Sequence, residues 1–283
     1  MKVRAALEAA AGEFAAAGIE TARLDAEVLL GHMLQLSRAF LVAHREDELS
    51  AADADGYAAL VRRRVAREPV SHLIGHREFR SLSFAVTHAV LTPRPETELL
   101  VELAADAIAA GARRVVDVGT GSGAIPIALA AECSRAAGLE LVAFDVSAEA
   151  LGVAQRNRDA LVDRGHAAVR LVRGDLLTAL RAGWADLVVS NPPYLSAAEL
   201  AAAPGELSFE PEIALVGGEE DGLGVVRKLV AQARGALCPG GTLLVEIGET
   251  QGAAAIELAR GEGFREVRVL PDLAGSDRVL LAR

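Results

Sequence analysis

Residues Val115-Val116-Asp117-Val118-Gly119-Thr120-Gly121-Ser122-Gly123 run from an apolar strand into a glycine loop, and the apolar segment AIPIALAAE (124–132) follows at once. The valines predict a buried strand and the alanine-rich segment a helix. Three glycines at alternate positions let the backbone turn sharply and approach a ligand with no Cβ in the way. A strand, glycine loop and helix in this order open a doubly wound sheet, whose ligands bind at the carboxyl edge of its strands. The spacing is G-x-G-x-G with Asp117 ahead of it, not the G-x-G-x-x-G of a dinucleotide site.

Downstream, apolar strands alternate with helical stretches: ELVAFDVS, VRLVRGD, ADLVVSNPP, GGTLLVEIG, FREVRVLPD and DRVLLAR. Strands separated by helices predict a parallel sheet covered on both faces. The last two strands are joined by a short loop and are expected to pair antiparallel. The second strand ends at Asp145, whose carboxylate suits the two hydroxyls of a ribose. The third ends at Asp175, placed for an exocyclic amine, with Leu176 beside it as an apolar surface for a base. The fourth ends in Ser190-Asn191-Pro192-Pro193-Tyr194. Adjacent prolines lock φ and remove two donors, Asn191 adds a side-chain carbonyl, and Tyr194 adds an aromatic face. Such an inventory holds a planar group bearing an NH2.

Upstream, residues 1–70 read as helices, with Leu24, Val28, Leu29 and Met33 at helical spacing, and Ser50 or Asp53 as a cap. Pro69 stops the pattern. Residues 71–92 read as a hairpin between two domains, and a helix is expected from near Glu96. The division is therefore a helical domain (1–70), a hairpin linker (71–92) and a cofactor-binding domain (93–283). The helical domain is expected to recognise a protein partner, because every cofactor-type residue lies after Arg113.

The chain has 283 residues, 52% hydrophobic and 24% charged, with a net charge of -10. Residues 1–85 carry 11 Lys/Arg against 12 Asp/Glu, and the remainder 18 against 27. That acidic balance argues against a nucleic-acid surface. The run Arg62, Arg63, Arg64, Arg67 reads as a solvated helix face. No apolar stretch reaches the roughly 18 residues of a membrane helix, and the amino terminus reads as an amphipathic helix, so a cytoplasmic protein is expected. Cys133 and Cys238 lie far apart, and His72, His76 and His88 match no zinc spacing, so no metal is expected. Glu246 and Glu249 read as strand-end polarity.

The glycine loop with Asp145 and Asp175 resembles the class I S-adenosylmethionine-dependent methyltransferases over residues 113–283. That resemblance implies a Rossmann-like doubly wound sheet with an antiparallel last strand. It also implies S-adenosylmethionine as cofactor, held by Gly119, Thr120, Gly121, Ser122 and Gly123 at its methionine part, by Asp145 at the ribose, by Asp175 and Leu176 at the adenine, and contacted by Asn191. The N-P-P-Y tetrad resembles that of amino-methyltransferases acting on adenine N6, on RNA bases or on glutamine amides, with Asn191, Pro192 and Tyr194 as catalytic residues and Pro193 with them in substrate binding. The tetrad alone does not choose among these acceptors.

Other segments narrow the choice. LTPRPETELLVE (91–102), ELSFEPEIALVGGEEDGL (206–223), LLVEIGETQG (243–252), GSDRVLLAR (275–283) and LDAEVLLGHML (24–34) are similar to the protein-glutamine N5-methyltransferases of the PrmC/HemK family. This resemblance implies methylation of the glutamine in the Gly-Gly-Gln motif of class I peptide chain release factors, with no nucleic-acid or membrane partner. A ribosomal-protein glutamine, or adenine N6 of a nucleic acid, stands as the alternative.

Overall fold

In a computed structural model of the chain, residues 1–163 and 165–283 are described, and they form two compact units. One comprises Met1–His76 together with Pro204–Phe209, and the other Arg77–Ala203 together with Glu210–Arg283.

The first unit is built from α1 (Val3–Ala16), α2 (Ala22–Leu34), α3 (Arg38–Ala43), α4 (Ala51–Val65) and α5 (Val70–Ile74). Val3, Ala6, Leu7, Ala10 and Phe14 recur every three or four residues along α1 and bury one stripe. That stripe packs with Leu29 and Leu30 of α2 and with Tyr57 and Val61 of α4. The Ser50 hydroxyl caps α4 by accepting from the Asp53 N–H. The arginine run is not a solvated face throughout. Successive helical residues point about 100° apart, so the run turns Arg64 inward. Arg64 is 5% exposed; it donates to Asp25 Oδ2 at 2.8 Å and to Glu206 Oε1 at 3.0 Å. Arg67 lies 2.8 Å from the other Glu206 oxygen, and Arg63 pairs with Glu68 at 2.6 Å. Buried charges persist only when paired in this way.

The second unit opens with a hairpin, β1 (His76–Phe79) and β2 (Leu82–Ala85), turned by Arg80 and Ser81 at φ of 49° and 61°. Positive φ at both central residues matches the twist of a two-residue hairpin. Then come α6 (Thr97–Ala109), β3 (Arg114–Val118), α7 (Ala124–Glu132), β4 (Glu140–Asp145), α8 (Ala148–Leu161), β5 (Val169–Arg173), β6 (Ala185–Ser190), α9 (Ala197–Ala202), α10 (Gly224–Ala236), β7 (Leu237–Glu246), α11 (Gly252–Gly261), β8 (Val267–Pro271) and β9 (Asp277–Ala282).

The seven-stranded sheet has the order β5-β4-β3-β6-β7-β9-β8. β3 through β7 pair parallel, and β9 is antiparallel to both β7 and β8. Side chains alternate across it: Val115 joins one core with Leu100 and Ile127, Val116 the other with Leu229 and Val230. Burial of both faces explains why the strands read as continuous apolar runs. The strand order reverses between β3 and β6, which opens a crevice at their carboxyl ends. No helix among the described residues is long and apolar enough to cross a membrane.

Candidate active site

Where β3 ends, Gly119, Gly121 and Gly123 take φ of 73°, 55° and 81°. A Cβ on Gly119 or Gly121 would meet nothing within 4 Å, whereas one on Gly123 would come within 2.8 Å of Ile127 and 3.3 Å of Ala154. The first two therefore keep the cradle clear for a ligand, and the third lets α7 pack on α8. The N–H groups of Gly119 and Thr120 both donate to the Phe144 carbonyl at 2.9 Å, which docks the loop on the end of β4. Asp145 accepts from the Gly121 N–H and the Ser147 N–H, each at 2.9 Å. Each of its oxygens keeps a lone pair for a ligand.

A cavity of about 350 Å³ lies over this edge. Gly119, Thr120, Gly121, Ser122, Asp145, Asp175, Leu176, Asn191 and Pro193 line it. Leu176 holds φ at 49°, a left-handed conformation that costs a branched residue on the order of 1 kcal/mol or more. Gly123, Pro192 and Tyr194 stand outside the lining. Gly123 serves helix packing, and Pro192 is buried at the strand end. The cavity wall also draws on Ala89, Val90, Leu91, Pro93, Arg94 and Thr97. Residues ahead of Arg113 thus also line the cavity, because the segment entering α6 runs along the same edge. Ile213 also lines the cavity, although 62% of it is exposed.

Behind the loop, Asp117 is 1% exposed, and neither of its oxygens is hydrogen-bonded; Oγ1 of Thr120 is likewise unpartnered. Burial drives the Asp117 pKa up to about 7, the Thr120 hydroxyl nearby offsetting part of the rise and Asp145 adding to it. An orphaned carboxyl this close to an open cradle suits a ligand that brings positive charge. S-adenosylmethionine carries a sulfonium and an ammonium group, so these residues fit it.

Asn157, on α8, was not foreseen from sequence. Its Nδ2 donates to the carbonyls of Ser122 at 2.8 Å and Ala85 at 3.0 Å, and its Oδ1 accepts from the Ala85 N–H at 2.8 Å. One side chain thereby ties β2 to the glycine loop. An asparagine inside a helical stretch carries no local signal of such a role.

At the end of β6, Ser190 donates to the Val118 carbonyl at 2.7 Å, joining the Asn-Pro-Pro-Tyr turn to β3. Asn191 Nδ2 donates to Thr97 Oγ1 at 2.9 Å, so the oxygen end of its amide is the one left for a ligand. The Tyr194 carbonyl accepts from Gln251 Nε2 at 2.9 Å. Burial, then the nearby Glu246, pushes the Tyr194 hydroxyl up to about 12. Glu246 is no strand-end surface group: it is 1% exposed. Among the described residues, no cluster of three His, Cys, Asp or Glu side chains is placed to hold a metal ion.

Two family models match the chain: the PrmC N-terminal domain over residues 5–75, and the methyltransferase small domain over residues 95–205. It is 45% identical, over 100% of its length and 98% of the relative's, to a release factor glutamine methyltransferase of Moorella thermoacetica. A release factor glutamine methyltransferase of Bordetella pertussis is 44% identical over 91% of this chain and 93% of its own. Among solved structures, the hMettl16 catalytic domain in complex with MAT2A 3'UTR hairpin 6 matches at TM-score 0.55 and 19% identity, over 81% of each chain. A methyltransferase from Pyrococcus furiosus matches at TM-score 0.50 and 20% identity, over 71% of this chain and 88% of its own. Both structural likenesses speak to the fold of the sheet alone.

Proposed function

Since the chain belongs to the release factor glutamine methyltransferase family, we propose that it methylates the N5 amide nitrogen of the glutamine in the Gly-Gly-Gln motif of class I release factors. It is an S-adenosylmethionine-dependent methyltransferase. The observation that carries the finer reading is the Asn191 amide, anchored through its nitrogen at the cavity wall with its oxygen free to accept.

S-adenosylmethionine supplies an electrophilic methyl group on a sulfonium. The backbone of Gly119 and Gly121, with Thr120 and Ser122, would hold its methionine part, Asp145 its ribose, and Asp175 with Leu176 its adenine. The free Asn191 oxygen accepts a hydrogen from the substrate amide and turns the nitrogen lone pair toward the methyl. Such orientation matters because an amide lone pair is delocalised and reacts only when held in line. Asn191, Pro192, Pro193 and Tyr194 together shape the acceptor turn. No base is required before transfer, since the surplus proton leaves the product nitrogen for water.

An adenine acceptor would be expected to come with a basic groove, and the chain after residue 85 is acidic. A release factor substrate puts the enzyme in the cytoplasm. The deciding experiment incubates the enzyme with labelled S-adenosylmethionine and purified release factor and maps the product by mass spectrometry. One added methyl on the Gly-Gly-Gln glutamine is expected. Label on a ribosomal protein glutamine, with release factor untouched, would overturn the substrate assignment.

A further inference from the structure

Two buried polar groups from distant parts of the chain meet behind Asn191. Thr97 opens α6, Glu246 closes β7, and Asn191 follows β6. β6 and β7 are neighbours in parallel register, with Ser190 opposite Val245, so Glu246 falls beside Asn191 at the same sheet edge. Asn191 Nδ2 donates to Thr97 Oγ1 at 2.9 Å, and Thr97 Oγ1 donates to Glu246 Oε2 at 2.8 Å. The Tyr194 hydroxyl lies 3.5 Å from the other carboxylate oxygen. Thr97 is 4% exposed and Glu246 1%.

We infer that Thr97 and Glu246 are positioning residues that set which end of the Asn191 amide faces the acceptor. The inference rests on the methyltransferase reading above and adds two residues to it. A hydroxyl has one proton to give and lone pairs to receive with. An ionised carboxylate only accepts, so Thr97 must spend its proton on Glu246. What Thr97 then offers Asn191 is a lone pair, and only the NH2 end of the amide can use it. The amide oxygen is thereby turned to the cavity, where a substrate NH2 requires an acceptor. An asparagine without this chain is free to flip, and the flipped form would set one NH2 against another.

The chain depends on the charge of Glu246. Burial raises its pKa to about 7, opposed by the Thr97 hydroxyl, by Arg278 on β9 and by the Tyr194 hydroxyl, and assisted by Glu96 ahead of α6. Once protonated, the carboxyl can donate to Thr97, which then has a proton to offer Asn191 and no longer selects its NH2 end.

The test measures kcat with release factor and the affinity for S-adenosylmethionine in Thr97→Val, Thr97→Ser and Glu246→Gln. Thr97→Val keeps the shape and loses both hydrogen bonds; kcat should fall about 10- to 100-fold, with cofactor affinity unchanged. Thr97→Ser restores the hydroxyl and should recover most of kcat. In the wild-type enzyme kcat should decline as pH drops below neutrality, and Glu246→Gln should lack that limb. A wild-type kcat in Thr97→Val, or equal damage in Val and Ser, overturns the inference. Hydrogen exchange of the Asn191 side-chain amide, followed by NMR on nitrogen-labelled asparagine, decides the same point without any substrate. Protection in wild type that Thr97→Val abolishes supports the relay, and absence of protection in wild type refutes it. If release factor is not a substrate at all, the function proposed above fails while the exchange experiment still decides this one.

Discussion

The Asp145 carboxylate accepts from Gly121 and Ser147 and keeps one lone pair on each oxygen. Asp145→Ala should therefore weaken S-adenosylmethionine binding by about 2–3 kcal/mol, the worth of charge-assisted hydrogen bonds to two hydroxyls. Calorimetry with an unchanged Kd would remove Asp145 from the ribose. Asn191→Ala should behave oppositely, abolishing transfer while Kd for the cofactor stays within a few fold, and single-turnover rates near wild type would refute its role. Asp117 adds a pH signature. Its pKa of about 7 lies above the ordinary 3.8. The folded, ligand-free state thus gains most when the group is protonated, and that stability is lost as pH rises through about 7. A cationic ligand reverses the preference and favours the ionised carboxylate. Affinity for S-adenosylmethionine should rise as pH goes from about 5.5 to about 7.5, by up to tenfold per unit, with protons released on binding. Calorimetry in two buffers of different ionisation enthalpy reads that release, and Asp117→Asn should lack it.

The acceptor turn is held by a second piece of backbone. Leu195 N–H donates to the Leu215 carbonyl at 2.9 Å, and Gly217 N–H donates to the Leu195 carbonyl at 3.0 Å. Gln251 closes the arrangement by donating to the carbonyls of both Tyr194 and Asp221. Only glycine permits so close an approach: a Cβ on Gly217 would stand 1.8 Å from the Gly222 oxygen and 2.6 Å from the Pro193 oxygen. Gly217→Ala must therefore displace the turn itself. A displacement of about 1 Å at the reacting centre costs on the order of 100-fold in rate. We expect kcat to fall by that factor, with a far smaller change in cofactor affinity. A variant that keeps full kcat would mean that the acceptor turn does not depend on this buttress.

At the scale of the molecule, the chain leaves the sheet-bearing unit after Ala203, contributes Pro204–Phe209 to the helical unit, and returns at Glu210. Glu206 is held there by Arg64 and Arg67. The segment that follows the acceptor turn is thus tied to the unit that we propose recognises the release factor. Discrimination by surface remote from the chemistry is how binding energy orients a reacting group. A protein lacking residues 1–76 should bind S-adenosylmethionine normally yet methylate intact release factor at least about tenfold more slowly. Glu206→Gln in the full chain, which removes the ion pairs alone, should slow it less. Full activity of the shortened protein would give the helical unit some other task.

What the sequence determined by itself is local. The glycine spacing at 119–123, the prolines at 192 and 193, and the period of the strands each constrain a few neighbouring residues, so fold class and the strand edge that carries the cavity were legible from them. Even the antiparallel end of the sheet followed from a short loop between β8 and β9. The tertiary structure alone decided which distant groups meet at that edge. Thr97 stands 94 residues from Asn191 and 149 from Glu246, and the crossover between β3 and β6 brings all three together. A threonine in a helix start, a glutamate at a strand end and an asparagine in α8 look ordinary in one dimension. Their chemistry arises from burial and from hydrogen-bond partners, and both are properties of the assembled sheet. Arg64 makes the same point in the helical unit, where a surface-like run conceals one cation whose place is fixed by Asp25 and Glu206.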